Sequence, residues 1–197
     1  MNKKAFFFTI DAFIALGVLV AGFLLVLATH TYQPIESQTI FFSKDLLQVF
    51  STTKVDQADN QLIFQMRCKD CNCDPTNFAY CGLIKNLDNT LLEQLGEFVY
   101  RSRPNGDCSS KCMDAAKEIA RTFSASLINP QFTYEFVIKD VKNPESIQEY
   151  TLLNNTQITG KTQDKTNLLI VSKRLIYGIG DNNDMFGPYV AEVRVWQ

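Results

Sequence analysis

The chain opens with a continuous apolar stretch. From Ala12 to Ala28 every residue is apolar or glycine, and no Asp, Glu, Lys or Arg follows until Glu36. At a rise of 1.5 Å per residue, about 20 apolar residues cross a hydrocarbon layer of about 30 Å. The pattern therefore predicts a hydrophobic transmembrane or spine helix over residues 6–31.

A second helical pattern follows Pro34, which lacks a backbone donor and is expected to interrupt the first helix. Apolar residues then recur at helical spacing, namely Phe42, Leu46, Val49 and Phe50. This spacing predicts that the helix continues through residues 32–53. A core helix of the following domain is equally compatible with these residues.

The remaining chain, residues 54–197, predicts a mixed domain. An irregular stretch over 54–86 precedes two helical patterns, around Leu91–Val99 and Cys112–Leu127. After Pro130 the apolar period changes to two, which predicts strands at Phe132–Lys139, Glu149–Leu153, Leu168–Tyr177 and Tyr189–Trp196, with a loop from Gly178 to Gly187. Short connections between the strands favour an antiparallel meander.

These elements define the expected fold class. We predict an α+β protein with a long N-terminal hydrophobic helix and a head of two helices packed on an antiparallel β-meander. The expected segments are a basic leader (1–5), the apolar helix (6–31), its continuation (32–53) and the head (54–197), which contains a Cys-rich region (68–112).

Charge and motif content exclude several classes of function. The 197 residues carry a net charge of −2, which gives no basic footprint for nucleic acid. The single histidine, His30, lies at the end of the apolar run, so a Ser-His-Asp triad within the head is excluded. No nucleotide, metalloprotease or hydrolase motif is present. We therefore expect a protein that is not an enzyme and has no cofactor.

The N-terminal charges predict an orientation. Lys3 and Lys4 precede the apolar run, and positive residues flanking a membrane helix favour the cytoplasmic side. The sequence thus predicts a single-pass protein of the cell membrane with a cytoplasmic N-terminus and an extracytoplasmic head.

Six cysteines occur, all within the head, at Cys68, Cys71, Cys73, Cys81, Cys108 and Cys112. An even number outside the cytoplasm predicts disulfides, although six cysteines allow 15 pairings and the sequence does not choose among them. Cys108 and Cys112 lie one helical turn apart, so we expect each to reach back to the 68–81 segment. Four thiolates on a zinc ion are the alternative, but the spacing is not that of a common zinc module, so we expect no metal.

Two further patterns suggest surface chemistry. Asn154 begins an Asn-Asn-Thr acceptor pattern for N-glycosylation. The loop from Gly180 to Asp184 is rich in Asp and Asn, which is typical of a turn between strands, with calcium binding as the alternative.

The N-terminus resembles a known family. The segment Lys3-Lys4-Ala5-Phe6-Phe7-Phe8-Thr9-Ile10-Asp11, followed by the apolar helix, is similar to type IV prepilins, and above all to archaeal pilin-like proteins with a class III signal peptide. The resemblance implies that a prepilin peptidase cuts after Ala5 or Phe6, leaving Phe6 or Phe7 first. It also implies that the cleaved helices bundle into a filament core.

The resemblance gives Asp11 a role as well. A lone carboxylate near the end of an apolar helix is costly unless it is paired. The α-amino group freed on a neighbouring subunit is the expected partner, which makes Asp11 the assembly carboxylate. The alternative is that Asp11 only marks the boundary of a simple anchor.

The resulting hypothesis is a structural subunit of a type IV pilus-like surface filament, or fimbrium, inserted through its N-terminal helix. Its expected partners are the membrane, other pilin subunits in a homo- or hetero-oligomeric filament, the prepilin peptidase and the assembly machinery. No nucleic acid partner is expected. The alternative is a single-pass, membrane-anchored extracytoplasmic binding protein that does not polymerise.

Overall fold

A computed structural model describes most of the chain. It covers residues 3–31, 35–68, 80–104, 106–125, 127, 132–156, 160, 169–180 and 184–196, and within these it leaves out the side chains of 3–12, 28–31, 35–39 and 109. The chain divides into two compact units, Met1–Gln38 and Thr39–Gln197.

The described residues form five helices and four strands. The helices are α1 (Lys3–Thr31), α2 (Ile35–Thr52), α3 (Gln61–Arg67), α4 (Leu91–Arg101) and α5 (Ser109–Ala125). The strands are β1 (Thr133–Asp140), β2 (Gln148–Asn154), β3 (Leu169–Ile179) and β4 (Met185–Trp196). The protein is therefore α+β, as its change of apolar period predicts.

The four strands form one antiparallel sheet in the order β2-β1-β4-β3. The predicted meander is wrong, because β4 lies between β1 and β3 instead of at the end of the sheet. The long connection between β2 and β3 allows β3 to form a hairpin with β4 at the edge. In that hairpin Gly187 and Pro188 of β4 lie against Tyr177 alone, so the bulge belongs to β4 and β3 stays regular.

One face of the sheet packs against helices and forms the core. Its side chains include Phe136, Ile176 and Val193, all buried. Phe50 of α2 contacts both Phe136 of β1 and Phe123 of α5 edge to face, with ring centroids 5.4 and 6.2 Å apart. Three helices, α2, α4 and α5, therefore cover this face, where the sequence predicted two.

Two glycines permit close packing, Gly96 between α4 and the sheet and Gly178 between β3 and β4. A Cβ on Gly96 of α4 would lie 2.8 Å from Ile176 Cγ2, and one on Gly178 of β3 would lie 2.4 Å from Phe186 Cζ. The ring of Phe186 thus fills space that any larger residue at Gly178 would occupy. Helix α4 itself begins with a capping box in which Thr90 and Glu93 satisfy each other's backbone N–H groups.

The predicted transmembrane anchor is wrong. In the part of the chain that the structure describes, no helix has both the length and the apolar character needed to cross a bilayer. Helix α1 itself has 29 residues, from Lys3 to Thr31. The expected location, a single pass through the cell membrane with a cytoplasmic N-terminus and an extracytoplasmic head, depended on that anchor. It is therefore not supported either.

Two local predictions are also corrected. The stretch over 54–86 was expected to be irregular, yet it contains α3, which Asn60 caps by accepting from the Leu62 N–H. The hairpin loop is shorter than the predicted Gly178–Gly187 segment, because β3 runs to Ile179 and β4 begins at Met185. Short capped helices and strand ends that contain glycine carry weak periodicity, so pattern alone misses them.

Candidate functional site

Helix α1 presents an apolar surface on every side. Phe13, Leu19 and Leu25 are 75%, 69% and 68% exposed. With 3.6 residues per turn, these three side chains point in directions about 120° apart. All other described side chains of α1, from 13 to 27, are exposed as well. A helix that is hydrophobic all round is normally buried, so this surface calls for a covering partner.

Two glycines leave open positions along α1. A Cβ built on Gly17 or Gly22 meets no atom within 4 Å. The distance between two packed helix axes depends on the side chains at the contact, and glycine permits the closest approach. These positions can therefore receive side chains or backbone of a second helix.

The solvent face of the sheet carries a cluster of six charged side chains, which we call the charged sheet cluster. Its members are Glu135, Lys139, Glu149, Lys173, Glu192 and Arg194. They lie on one face because each strand alternates, so that charged residues project away from the core. Three acids and three bases make the cluster neutral overall.

Glu192 lies at the centre of the charged sheet cluster. Its side chain is 4% exposed, and it accepts from Lys139 Nζ at 3.0 Å, Lys173 Nζ at 2.9 Å and Arg194 Nη2 at 2.9 Å. One carboxylate thus joins cations from two neighbouring strands, β1 and β3, and from its own strand, β4.

These contacts control the ionisation of Glu192. Burial alone would raise its pKa, but the hydrogen bonds from Lys173, Lys139 and Arg194 outweigh burial and lower the pKa to about 2. The hydrogen bond from Lys139 likewise lowers the pKa of Glu149. Both carboxylates are therefore ionised at neutral pH and are held by cations of the same chain. The arrangement stabilises the sheet and offers no unpaired group for acid–base chemistry.

A cavity of about 500 Å³ lies beside the end of α4. It is lined by charged residues, Tyr100 and backbone, including Lys85, Glu97, Arg101, Arg103, Asp107 and Asp184. Its volume falls within the range of small-molecule sites. The lining charges balance, so the cavity shows no preference for one sign of ligand.

Arg101 organises the wall of this cavity. Its Nε and Nη2 donate to Asp107 Oδ1 and Oδ2 at 3.0 and 3.2 Å, and its Nη1 donates to the Leu83 carbonyl at 2.9 Å. The same Nη1 lies 3.4 Å from Glu97, whose side chain is almost fully buried. The hydrogen bond from Arg101 lowers the pKa of Asp107. Arg101 therefore joins the end of α4 to two loops, which is a structural role.

The structure places one disulfide where the sequence expected two longer bridges. Cys108 and Cys112 are bonded to each other, with Cα atoms 5.4 Å apart. The expectation that each reaches back to the 68–81 segment is wrong, because the two lie at adjacent turns at the start of α5, within bonding distance of each other. Cys68 and Cys81 are disulfide-bonded too.

The disulfide predictions for the other two cysteines and the metal alternatives concern residues that the structure describes only in part. Cys71 and Cys73 lie outside the described residues. Among those that are described, no group of three or more His, Cys, Asp or Glu side chains could hold a metal ion. In the candidate calcium loop the Gly180 N–H donates to the Asp184 carbonyl at 2.8 Å, and residues 181–183 lie outside the description.

The residues that the resemblance assigned to assembly lie in α1. Ala5, Phe6, Phe7 and Asp11 belong to its backbone, but their side chains lie outside the described ones. Cleavage and carboxylate pairing thus stay predictions.

Asn154 ends β2 and is exposed. Its Nδ2 donates to Glu135 Oε1 at 3.2 Å, and its Oδ1 accepts from the Thr156 N–H at 2.8 Å. The adjacent Asn155 is buried and bonds the backbone of Tyr134 and Phe132. In the acceptor pattern Asn154 is therefore exposed, Asn155 is buried and Thr156 is half-buried.

The charged sheet cluster was missed in the sequence, although a signal existed. The alternation that put Ala191, Val193 and Val195 on one face also put Glu192 and Arg194 on the other. The strand order brings Lys139 and Lys173 to opposite sides of Glu192, and that order could not be read from alternation.

Comparison with known proteins adds no family: no family model, no curated protein and no solved structure matches this chain.

Proposed function

We propose that this protein is a structural subunit of a type IV pilus-like filament, in which α1 packs against the α1 helices of other copies. The observation that carries the proposal is the exposure of apolar side chains on every side of α1. Burying one large apolar side chain stabilises by about 1.5–3 kcal/mol, so a bundle of such helices gains from many contacts at once. A bundle also covers all sides of each helix, which a single groove would not.

The N-terminal sequence supports the same proposal. The basic leader, the aromatic start and Asp11 are the features that resemble prepilins. In this account a prepilin peptidase removes the leader after Ala5 or Phe6. The new α-amino group then pairs with Asp11 of a neighbouring subunit, and the assembly machinery adds subunits to the growing filament.

The absence of enzyme signatures agrees with a structural role. The charged groups of the head are used within the chain, as Glu192 and Arg101 illustrate. Their contacts stiffen the sheet and the end of α4. Paired charges in the head and an exposed apolar surface on α1 fit a subunit whose task is assembly.

Assembly can be tested by placing a charge on α1. Leu19→Lys introduces a cation on a side chain that is 69% exposed in one copy and buried in the proposed bundle. We expect this variant to stay in the supernatant of a high-speed spin under conditions in which the unmodified protein sediments, because an unpaired buried charge is strongly unfavourable.

The matched control places the same charge on the head. Ile147 is 53% exposed in the connection between β1 and β2, away from α1 in the chain. Ile147→Lys should sediment like the unmodified protein. Equal sedimentation of the Leu19→Lys and Ile147→Lys variants would overturn the proposal, as would an unmodified protein that stays monomeric.

Processing has a separate test. Intact mass and N-terminal sequencing of the protein from its natural source should give a chain that starts at Phe6 or Phe7. A chain that still starts at Met1 or Asn2 would remove the peptidase step. It would leave a binding protein that does not polymerise as the better account.

A further inference from the structure

Strand β3 is an edge strand with an apolar outer face. It ends the strand order β2-β1-β4-β3, and among the described residues no strand lies on its other side. Five large side chains, 39–62% exposed, lie along its solvent face, namely Leu169, Val171, Leu175, Tyr177 and Ile179. We call this the β3 stripe. A long, regular, apolar edge is a template for pairing with another strand.

One cation interrupts the β3 stripe: Lys173 lies between Val171 and Leu175 on the same face, and its side chain is 61% exposed. Edge strands are commonly guarded by lysines that face an incoming strand. The two cations of β3 are both engaged within the chain. Lys173 Nζ binds Glu192 at 2.9 Å, and Arg174 Nη1 donates to Gln48 of α2 at 3.0 Å. Neither charge needs to be desolvated without a partner when a strand approaches the edge.

The core face of β3 is already covered by helices of the same chain, so only its outer face and its edge are open to a partner. Ser172 on the core side lies 2.7 Å from Ser43 of α2, oxygen to oxygen. Ile176 is buried beneath α4. A partner can therefore add main-chain hydrogen bonds at the edge and apolar contacts on the β3 stripe only.

We propose that β3 pairs antiparallel with β3 of a second copy of this chain, across a two-fold axis near Leu175. The geometry favours a second copy because the neighbouring charged sheet cluster holds equal numbers of acids and bases. A patch of one sign would repel itself across a two-fold axis, whereas a neutral patch with both signs is compatible with itself.

The position of the axis follows from charge and pattern. An axis at Lys173 would place two lysines directly opposite, which is unfavourable. An axis at Leu175 places Val171 opposite Ile179 of the partner copy, and Lys173 opposite Tyr177. Both are favourable cross-strand pairs.

The available area is sufficient for a specific contact. At about 200 Å² for a fully exposed large side chain, the β3 stripe exposes on the order of 500 Å². That is near the upper end of the largest apolar patches on monomeric proteins. With the strand edge and the adjacent charged sheet cluster it approaches the about 800 Å² per partner of a standard interface.

A cross-link tests the proposal in the full chain. Leu175→Cys, treated with a short bis-maleimide, should give a covalent dimer because the two thiols lie close together across the axis. The matched control is Thr151→Cys, which lies exposed on the solvent face of the opposite edge strand, β2. It should give little dimer. Equal cross-linking at the two positions, or none at Leu175→Cys, would overturn the proposal.

A charged substitution at Leu175 tests the proposed dimer in a second way. Leu175→Lys should weaken dimerisation about tenfold or more by placing two like charges together at the axis. Thr151→Lys should leave it unchanged. Unchanged dimerisation in Leu175→Lys, with a melting temperature like that of the parent, would also contradict the pairing.

The contact does not depend on assembly through α1. The cross-link is therefore repeated in the Leu19→Lys background, which the proposed function expects to be unassembled. A Leu175→Cys dimer in that background supports the β3 contact whatever the fate of the filament. Loss of the dimer there would show that α1 alone brings the heads together.

Discussion

Lys173 Nζ lies 2.9 Å from Glu192 Oε1, and this contact joins the edge strand β3 to β4. The two residues are direct partners in the strand register. Lys139 of β1 reaches the other oxygen of the same carboxylate at 3.0 Å. Glu192 therefore ties three strands together on the solvent face of the sheet, and the same contact pairs the charge of Lys173 within the chain.

Replacing Glu192 should cost stability. Glu192→Gln keeps the shape but removes the charge that binds three cations, so we expect a loss of about 2 kcal/mol in the free energy of unfolding. Urea denaturation followed by circular dichroism would measure it. Glu149→Gln is the control, since that side chain is 45% exposed and binds two of the same cations. It should cost less than about 1 kcal/mol. Equal losses would contradict the central role of Glu192.

The contribution of Glu192 should depend on pH. Its pKa is lowered from an ordinary 4.5 to about 2 in the folded protein. The unfolded chain therefore binds the proton first as the pH falls, and the stabilisation is present above pH 4.5 and lost as the pH drops through about 2. The difference in stability between the parent protein and Glu192→Gln should be constant near neutrality and shrink below pH 4.5. A difference that grows on acidification would disprove this assignment.

Arg101 should be far more important than an exposed arginine. Arg101→Gln removes the ion pair between Arg101 and the buried carboxylate of Glu97, and both bonds to Asp107. We expect a loss of about 3 kcal/mol, measured by denaturant unfolding. Arg121→Gln is the control, because Arg121 pairs with Glu118 at the surface. That change should leave the free energy of unfolding unchanged, because an exposed ion pair contributes little. Similar values for the two variants would show that Arg101 does not organise the cavity wall.

Gly178 should not tolerate a side chain. A Cβ there would lie 2.4 Å from the ring of Phe186, whereas one on Gly180 would meet its nearest atom, the Asp184 carbonyl oxygen, at 3.5 Å. Gly178→Ala should therefore destabilise by about 1–3 kcal/mol through overpacking. Gly180→Ala should be neutral or stabilise by up to about 1 kcal/mol. The melting temperatures of both variants test this expectation. A Gly178→Ala protein as stable as its parent would show that the ring of Phe186 does not exclude a side chain at this position.

The strands and their faces could be predicted because β-period alternation is a local signal. Alternation in β4 puts Val193 and Glu192 on opposite faces, and in the structure Val193 lies in the core and Glu192 lies in the charged sheet cluster on the other face. The order of the strands could not be predicted, because nothing local records that β4 inserts between β1 and β3. The charged sheet cluster depends on that order, so it could not be predicted either.

The cysteines and the apolar helix show a different limit. Spacing by one helical turn is compatible with two outward bridges or with one bond between Cys108 and Cys112, and only the geometry distinguishes them. For α1, apolar length alone favoured a membrane span. A helix that is apolar on every side is expected to be covered, but its sequence does not identify what covers it.

Assembly of this chain through α1 can be observed by electron microscopy of protein that is sheared from its source and pelleted at high speed. We expect filaments of uniform width in the pellet, and their loss in the Leu19→Lys variant but not in Ile147→Lys. Single particles without filaments, or filaments that persist unchanged in Leu19→Lys, would contradict it.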